Sequence, residues 1–157
     1  MVELTTASAD ATEALAARLG EACRGGELFL LEGELGAGKT CFVRGLARGL
    51  RCDPGAVRSP SFTLLHRYGG RLTLDHFDVY FTKEAIDLER AGLLESLRAG
   101  DVAAVEWGGR FARFLPADRL EVELSHLSAD SRRVRLTPRG SASEALLARA
   151  LAAEKRE

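Results

Sequence analysis

Residues 33–40 read G-E-L-G-A-G-K-T and match the pattern G-x-x-x-x-G-K-[ST] at every fixed position. The short apolar run before them, residues 28–31 (L-F-L-L), predicts a strand that is buried on both faces. Apolar residues after the motif recur every three to four positions, which predicts a helix that begins near Lys39. A glycine-rich segment between a buried strand and a helix is the setting in which this pattern forms a phosphate-binding loop.

Each fixed residue of the loop has a physical reason to be there. Gly36 and Gly38 let the backbone curl, so that the N–H groups from Gly36 through Ala37 to Thr40 point inward and cradle phosphate oxygens. The N-terminus of the following helix adds its own donors. Lys39 would neutralise the β- and γ-phosphates, and the Thr40 hydroxyl would ligate Mg²⁺. The sequence therefore predicts a protein that binds ATP·Mg²⁺.

Size and composition favour one cytoplasmic domain over residues 1–157. The chain is 46% hydrophobic and 29% charged with a net charge of −1, which gives no general attraction to nucleic acid or membranes. Its three cysteines are an odd number without a C-x-x-C pair, which suits a reducing compartment and argues against a disulfide framework or zinc site. No secretory leader or spanning segment is expected.

The remaining pattern predicts an α/β protein with the three-layer P-loop NTPase fold. Its mixed sheet would have a parallel centre and added antiparallel hairpins. Two helices are expected to begin at capping boxes, Asp10 with Glu13 and Ser141 with Glu144. The predicted helices cover residues 11–24, 39–50, 84–98 with a break at Gly92, and 141–157; the predicted strands cover residues 28–31, 62–68, 71–77, 102–106, 120–124 and 134–136.

Acidic residues at strand ends are candidates to hold Mg²⁺ and to position a water molecule. Glu106 ends the apolar strand 102–105, although an exposed strand-end carboxylate is an equally good interpretation. Asp75 and Asp78 compete for a second role, and a metal site of the D-H-x-D type is less expected than solvation at a strand end. Trp107, the only tryptophan, either stacks near the nucleotide or a partner or packs in the core, which is the commoner role.

Several segments in the same order resemble the TsaE family, the small bacterial P-loop ATPases of the machinery that makes threonylcarbamoyladenosine (t6A) on tRNA. The loop 33–40 is similar to the family's G-D-L-G-A-G-K-T. Residues 59–64 (S-P-S-F-T-L), 76–80 (H-F-D-V-Y) and 105–107 (V-E-W) are similar to S-P-T-[FY]-T-L, H-F-D-L-Y and V-E-W. The resemblance runs almost from end to end.

The resemblance implies roles for particular residues. It favours Asp78 over Asp75 and makes Glu106, with Thr40, a Mg²⁺ ligand. Glu106, Asp78 and Lys39 would be catalytic, and residues 59–63 would form a switch-like loop near the γ-phosphate. The implied nucleotide-binding set is Gly36, Ala37, Gly38, Lys39, Thr40, Cys41, Asp10, Thr12, Arg132 and Trp107.

Four positions depart from the family pattern. Glu34 replaces Asp and Ser61 replaces Thr, and both keep the chemistry. Cys41 stands where a second Thr is common, so a hydroxyl contact would be lost while its N–H can still reach the α-phosphate. Phe81 stands where Arg usually follows the tyrosine, so an electrostatic contact to nucleotide or partner is either missing or supplied elsewhere.

The resemblance further implies an ATPase that acts on TsaD-like and TsaB-like protein partners and meets tRNA only through that complex. Slow turnover by the isolated chain is expected because the sequence offers no obvious arginine finger within a fixed motif. Two other functions remain open. A small-molecule phosphotransferase would need an acceptor pocket, for which the sequence offers no signature, and residues 132–135 (R-R-V-R) read as a solvated strand face. A nucleotide-dependent binding module without turnover is the third possibility. Guanine specificity is disfavoured because residues 82–85 (T-K-E-A) lack the aspartate of N/T-K-x-D.

Overall fold

The structure is a computed structural model that describes residues 1–60 and 62–153. Ser61 and residues 154–157, the end of the predicted last helix, lie outside the described residues. Strands are β1 Val2–Thr6, β2 Leu28–Glu32, β3 Leu65–Tyr68, β4 Leu74–Asp78, β5 Val102–Glu106, β6 Leu120–His126 and β7 Arg132–Pro138. Helices are α1 Ala9–Ala22, α2 Lys39–Gly49, α3 Ile86–Arg90, α4 Leu93–Arg98 and α5 Ser141–Ala152, with 3-10 segments at Pro54–Ala56 and Gly108–Phe114.

The strands form one sheet in the order β1-β7-β6-β2-β5-β4-β3. Strand β2 pairs in parallel with both β5 and β6, and β5 pairs in parallel with β4. Strands β3, β7 and β1 are antiparallel to their neighbours. The predicted α/β fold, with its parallel centre and antiparallel hairpins, is confirmed.

Helices cover both faces of the sheet because its central strands are apolar on both sides. In β2, Phe29 and Leu31 pack in the cluster that contains α1, α2 and α5. The alternate residues, Leu28 and Leu30, pack in the cluster that contains α3, α4 and Phe111 of the second 3-10 segment. This alternation produces three layers and leaves the carboxyl edge of the parallel strands open for a site.

Strand β1 was not predicted, although Val2 and Leu4 alternate with polar residues as an edge strand requires. The hairpin around Gly69 and Gly70 is confirmed, but its strands are shorter than predicted. Residues 62–64 turn instead of extending, because the N–H groups of Thr63 and Leu64 both donate to Pro60 O. The predicted break at Gly92 is confirmed, since its φ of 96° separates α3 from α4.

Both predicted capping boxes are wrong. Helix α1 is capped by Ser8, whose Oγ accepts from Ala11 N at 3.0 Å. Helix α5 follows Gly140, which has no side chain to offer; instead the carboxylate of Asp118 accepts from the N–H groups of Ala142 at 2.8 Å and Ser143 at 3.0 Å. A residue distant in sequence therefore supplies the cap. Throughout residues 1–60 and 62–153, no helix is long and apolar enough to cross a membrane.

Candidate functional site

The candidate site is a cavity of about 470 Å³ at the carboxyl edge of the parallel strands. The loop before α2 forms one side, and the ends of β4 and β5 form the other. Its lining brings together most residues that the sequence singled out. The lining residues are Leu35, Gly36, Gly38, Lys39, Thr40, Cys41, Ser59, Phe62, Asp78, Tyr80, Phe81, Glu106 and Trp107.

The loop backbone has the shape of an anion cradle. Gly36 and Gly38 have φ values of 78° and 107°, which L residues with side chains rarely adopt. A Cβ atom at either position would meet nothing within 4 Å, so the backbone conformation, and not crowding, requires glycine there. Helix α2 has no side-chain cap. Its first N–H groups therefore remain available to an anion, and phosphate is one of the anions that such helix ends bind.

The Lys39 side chain lies inside this cradle and is only 5% exposed. Its ammonium donates to Gly33 O and, at 2.9 Å, to Glu34 O, and lies 3.8 Å from the centre of the Trp107 ring. Burial lowers the pKa of Lys39, while the carboxylates of Glu106, Glu32 and Asp78 oppose that shift. The cation is thus held at the mouth of the loop by weak acceptors that a phosphate can replace.

Glu106 is buried, with 2% exposure, so the exposed strand-end interpretation is wrong. Its Oε1 accepts from Thr40 Oγ1 at 3.3 Å, and its Oε2 lies 2.5 Å from His76 Nε2. The parallel register pairs Asp78 with Glu106 and His76 with Ala104, which puts all three polar side chains on the face toward α2. The Glu106 carboxylate thus connects the end of β5 to the first turn of α2.

Asp78 lies at the cavity and Asp75 does not. The side chain of Asp78 accepts from Ser59 Oγ at 2.8 Å and from Tyr80 N at 2.9 Å. Asp75 points to the opposite face of the sheet and accepts from Arg67 Nε at 2.6 Å. Solvation at this strand end was the wrong expectation, because Asp75, His76 and Asp78 are at most 3% exposed.

Arg132 approaches the loop from behind. Its guanidinium donates to Ala37 O at 3.0 Å and to Gly36 O at 3.4 Å. It therefore supports the backbone of the cradle. The expectation that residues 132–135 form a solvated strand face holds for Arg133 and Arg135, which are close to half-exposed and pair with Glu3.

Of three other candidate residues, one lines the cavity and two do not. Cys41 lines it, and its thiol contacts Ala9 O at 3.4 Å. Asp10 is exposed and does not line it. Thr12 is 1% exposed, and its hydroxyl lies 2.6 Å from that of Thr6, so it joins β1 to α1.

Comparison with known proteins identifies the family. The model of the family described as threonylcarbamoyl adenosine biosynthesis protein TsaE matches residues 6–134, more than half of the chain. The chain belongs to the TsaE family. The tRNA threonylcarbamoyladenosine biosynthesis protein TsaE of Treponema pallidum (strain Nichols) is 42% identical over 109 residues, covering 69% of this chain and 80% of the relative.

Two further comparisons extend the similarity over most of this chain. The protein of the same name from Bacillus subtilis (strain 168) is 35% identical over 142 residues, covering 90% of this chain and 88% of the relative. The crystal structure of Bacillus subtilis YdiB superposes with a TM-score of 0.80 at 31% identity, covering 98% of this chain and 95% of that one. The family, as its description says, takes part in threonylcarbamoyladenosine biosynthesis.

Sequence reasoning missed His76 and Glu32 in this TsaE-family chain. His76 is fully buried beside Glu106, and the alternation that puts it on the face of Asp78 was the available signal. Glu32 ends β2 directly before the loop and accepts from Gly109 N. Burial raises the pKa of Glu32, and the Gly109 N–H and the Lys39 charge partly offset that shift. Glu32 thus joins the loop to the second 3-10 segment.

Phe81, which stands where the family usually has Arg, places an exposed aromatic ring at the cavity. Its ring is stacked on Phe62, with centroids 5.5 Å apart. A positive charge near this segment comes from Arg110, which donates to the carbonyls of Val79, Tyr80 and Thr82. That arginine fixes the backbone after Asp78 and is not among the residues that line the cavity.

The residues present fit Mg²⁺ bound together with a nucleotide. Thr40 Oγ1 and Glu106 Oε1 are hard oxygen ligands 3.3 Å apart beside the open cradle. Over the part of the chain that the structure describes, no group of three or more His, Cys, Asp or Glu side chains could hold a metal ion. Mg²⁺ needs no such cage, because it keeps several waters and binds through one or two protein ligands plus phosphate oxygens.

Proposed function

We propose that this chain binds ATP·Mg²⁺ and hydrolyses it slowly, and that the ATPase cycle supports t6A modification of tRNA. The protein would act on TsaD-like and TsaB-like partner subunits in the cytoplasm and meet tRNA only through their complex. The single observation that carries the ATPase proposal is the buried Glu106 carboxylate, which accepts from Thr40 at 3.3 Å and lies 2.5 Å from His76 at the mouth of the glycine loop.

The loop and its lysine would bind the triphosphate. Open space in front of Gly36 and Gly38, together with uncapped N–H groups at the start of α2, suits the β- and γ-phosphates. Lys39 would exchange its bonds to Gly33 O and Glu34 O for phosphate oxygens. The N–H of Cys41 would reach the α-phosphate. Asp10 and Trp107 belong to the same proposal as contacts around the nucleotide. Thr12 and Arg132 would support the site indirectly, Thr12 through its bond to Thr6 and Arg132 through the loop carbonyls.

Two carboxylates would prepare hydrolysis. Thr40 and Glu106 would hold Mg²⁺, which when bound neutralises charge that develops on the phosphate oxygens. Asp78 holds Ser59 at 2.8 Å, so it would keep the 59–63 loop against the γ-phosphate side of the cavity. Glu106 and Asp78 would together orient the attacking water. Both are at most 3% exposed, which keeps their charges effective.

Slow turnover by the isolated chain follows from the composition of the cavity wall. Among the described residues that line it, the only cationic side chain is Lys39 and none is an arginine. P-loop enzymes without an arginine at the γ-phosphate hydrolyse slowly until a partner completes the site. The net charge of −1 supports indirect contact with tRNA, and three free cysteines suit a reducing cytoplasm.

The decisive experiment measures ATP hydrolysis by the purified chain, alone and with a purified TsaB–TsaD pair. Wild type is compared with Glu106→Ala and with Glu123→Ala, a control that removes an exposed carboxylate on β6. We expect the pair to stimulate wild type and the control strongly and Glu106→Ala hardly at all. A hydrolysis rate that is neither raised by the partners nor lowered by the Glu106 substitution would refute the proposal. Acceptor-dependent loss of ATP would instead indicate a phosphotransferase.

A further inference from the structure

His76 is a fully buried imidazole in the middle of β4. Its Nε2 lies 2.5 Å from Glu106 Oε2. A carboxylate can only accept, so the hydrogen between these atoms belongs to Nε2. Nδ1 is also buried and has no hydrogen-bond partner in the structure. A hydrogen on Nδ1 would be an unpaired buried donor, which is costly, so the arrangement favours the tautomer that carries its hydrogen on Nε2.

That bond occupies one of the two oxygens of Glu106. The other, Oε1, faces Thr40 Oγ1 at 3.3 Å. Without a donor at His76, the carboxylate of Glu106 would be free to rotate about its terminal C–C bond, and neither oxygen would be held toward Thr40. Tyr68, whose ring centroid lies 6.2 Å from that of His76, helps fix the imidazole from the β3 side. The side chain of His76 therefore fixes the orientation of the Glu106 carboxylate relative to Thr40 and the loop.

We infer that His76 is a positioning residue for hydrolysis: it fixes the Glu106 carboxylate so that Oε1 faces Thr40 and the γ-phosphate side of the cavity. This inference rests on the proposed ATPase function of Glu106. His76 touches neither phosphate nor the reacting water and acts only through Glu106. Outer partners that orient metal-binding side chains typically contribute about 10- to 100-fold in metal affinity or activity.

The kinetic test compares His76→Leu with His76→Gln in the full chain with the TsaB–TsaD pair. Leucine fills space without a donor, whereas the glutamine amide can place an N–H where Nε2 lies. We expect kcat to fall about 10- to 100-fold in His76→Leu, with the Kd for ATP unchanged, and to recover largely in His76→Gln. His126→Leu is the matched control, because His126 is an exposed imidazole at the end of β6, away from His76 and Glu106.

Two further measurements separate positioning from a merely structural role. In the double variant His76→Leu/Glu106→Gln, the loss should equal that of Glu106→Gln alone, since His76 acts through Glu106. Long-range ¹H–¹⁵N spectra of protein without nucleotide should show the Nε2–H tautomer of His76, with a proton shift that changes in Glu106→Gln. If His76→Leu does not fold, His76→Asn, whose amide is too short to reach Glu106, replaces it beside His76→Gln.

Contrary outcomes are distinguishable. Wild-type kcat in His76→Leu, beside inactive Glu106→Gln, would overturn this inference and leave the proposed function intact. Losses that multiply in the double variant, or an Nδ1–H tautomer, would also overturn it. Absence of turnover by wild type with its partners would overturn the proposed function and this inference together.

Discussion

At the scale of single residues, Lys39 has an unusual environment for a lysine. A lysine side chain is rarely as buried as this one, at 5% exposure, and its ammonium lies between two loop carbonyls and an indole ring. Because burial lowers its pKa, the folded chain holds this charge at a cost. A triphosphate would relieve that cost by supplying charged acceptors in place of carbonyls.

We therefore expect Lys39→Met to weaken ATP binding about 10- to 100-fold, the equivalent of one charge-assisted hydrogen bond. Isothermal titration calorimetry with ATP and Mg²⁺ measures the change. Lys83→Met removes an exposed lysine and serves as the control. Equal affinities for wild type and Lys39→Met would show that the loop binds phosphate through its backbone alone.

At the scale of elements, helix α5 depends on a cap from outside its own segment. Burial raises the pKa of Asp118, but bonds from Ser143 and the N–H of Ala142 lower it by more, so the net pKa lies below the ordinary value. A carboxyl with a lowered pKa in the folded state stabilises above its unfolded pKa, near 3.9, and this contribution is lost as pH falls. The first turn of α5 is thus sensitive to acid.

Replacing Asp118 should reveal this dependence. Asp118→Ala should reduce the free energy of unfolding at neutral pH by about 1 kcal/mol, as for other lost caps. Asp118→Asn keeps an oxygen acceptor, so it should remain close to wild type at neutral pH and lose less stability than wild type as pH falls below about 4. Urea unfolding at several pH values measures both. Asp130→Asn in the β6–β7 turn is the control, and parallel pH curves for all variants would contradict the prediction.

Helices α1 and α2 approach so closely that glycine is required between them. A Cβ on Gly49 would lie 2.1 Å from Ala17 O and 2.7 Å from Glu21 N. Gly49→Ala should therefore cost about 1–3 kcal/mol, despite alanine's better helix propensity, because backbone must move. Gly69→Ala, where a Cβ meets nothing within 4 Å, should leave stability unchanged. Chemical denaturation compares the two, and a stabilised Gly49→Ala would show that the helices separate easily.

At the scale of the whole molecule, the candidate site joins β2, β4 and β5 to α2, so binding of the proposed nucleotide there should stabilise the entire sheet. At 100 times its Kd, a ligand adds about 2.7 kcal/mol to the free energy of unfolding. ATP with Mg²⁺ should therefore raise the Tm by roughly 5–10 °C for a domain of this size. EDTA should remove most of that shift, and Lys39→Met should lack it. A Tm that does not respond to ATP in wild type would contradict ATP binding.

The sequence by itself determined the features that are written in consecutive residues. The loop 33–40 and its flanking strand and helix were predictable because the conformation follows from glycine, a buried apolar run and helical spacing, all local properties. The three-layer α/β fold follows from the same patterns. Strand β1 also carries a local signal, because Val2 and Leu4 alternate with polar residues.

Only the tertiary structure decided which polar groups meet. His76 and Glu106 are 30 positions apart, and Arg132 and Ala37 are 95 apart. Their contacts depend on strand order and register, which local patterns do not encode. The residues around Asp75 and Asp78 left the choice between them open, and only the family resemblance favoured Asp78. Pairing with β5 supplies the physical reason, because it places Asp78 opposite Glu106. The chemical type of each side chain is a local property of the sequence. The positions of the side chains relative to one another, which make a site, depend on how the strands and helices pack.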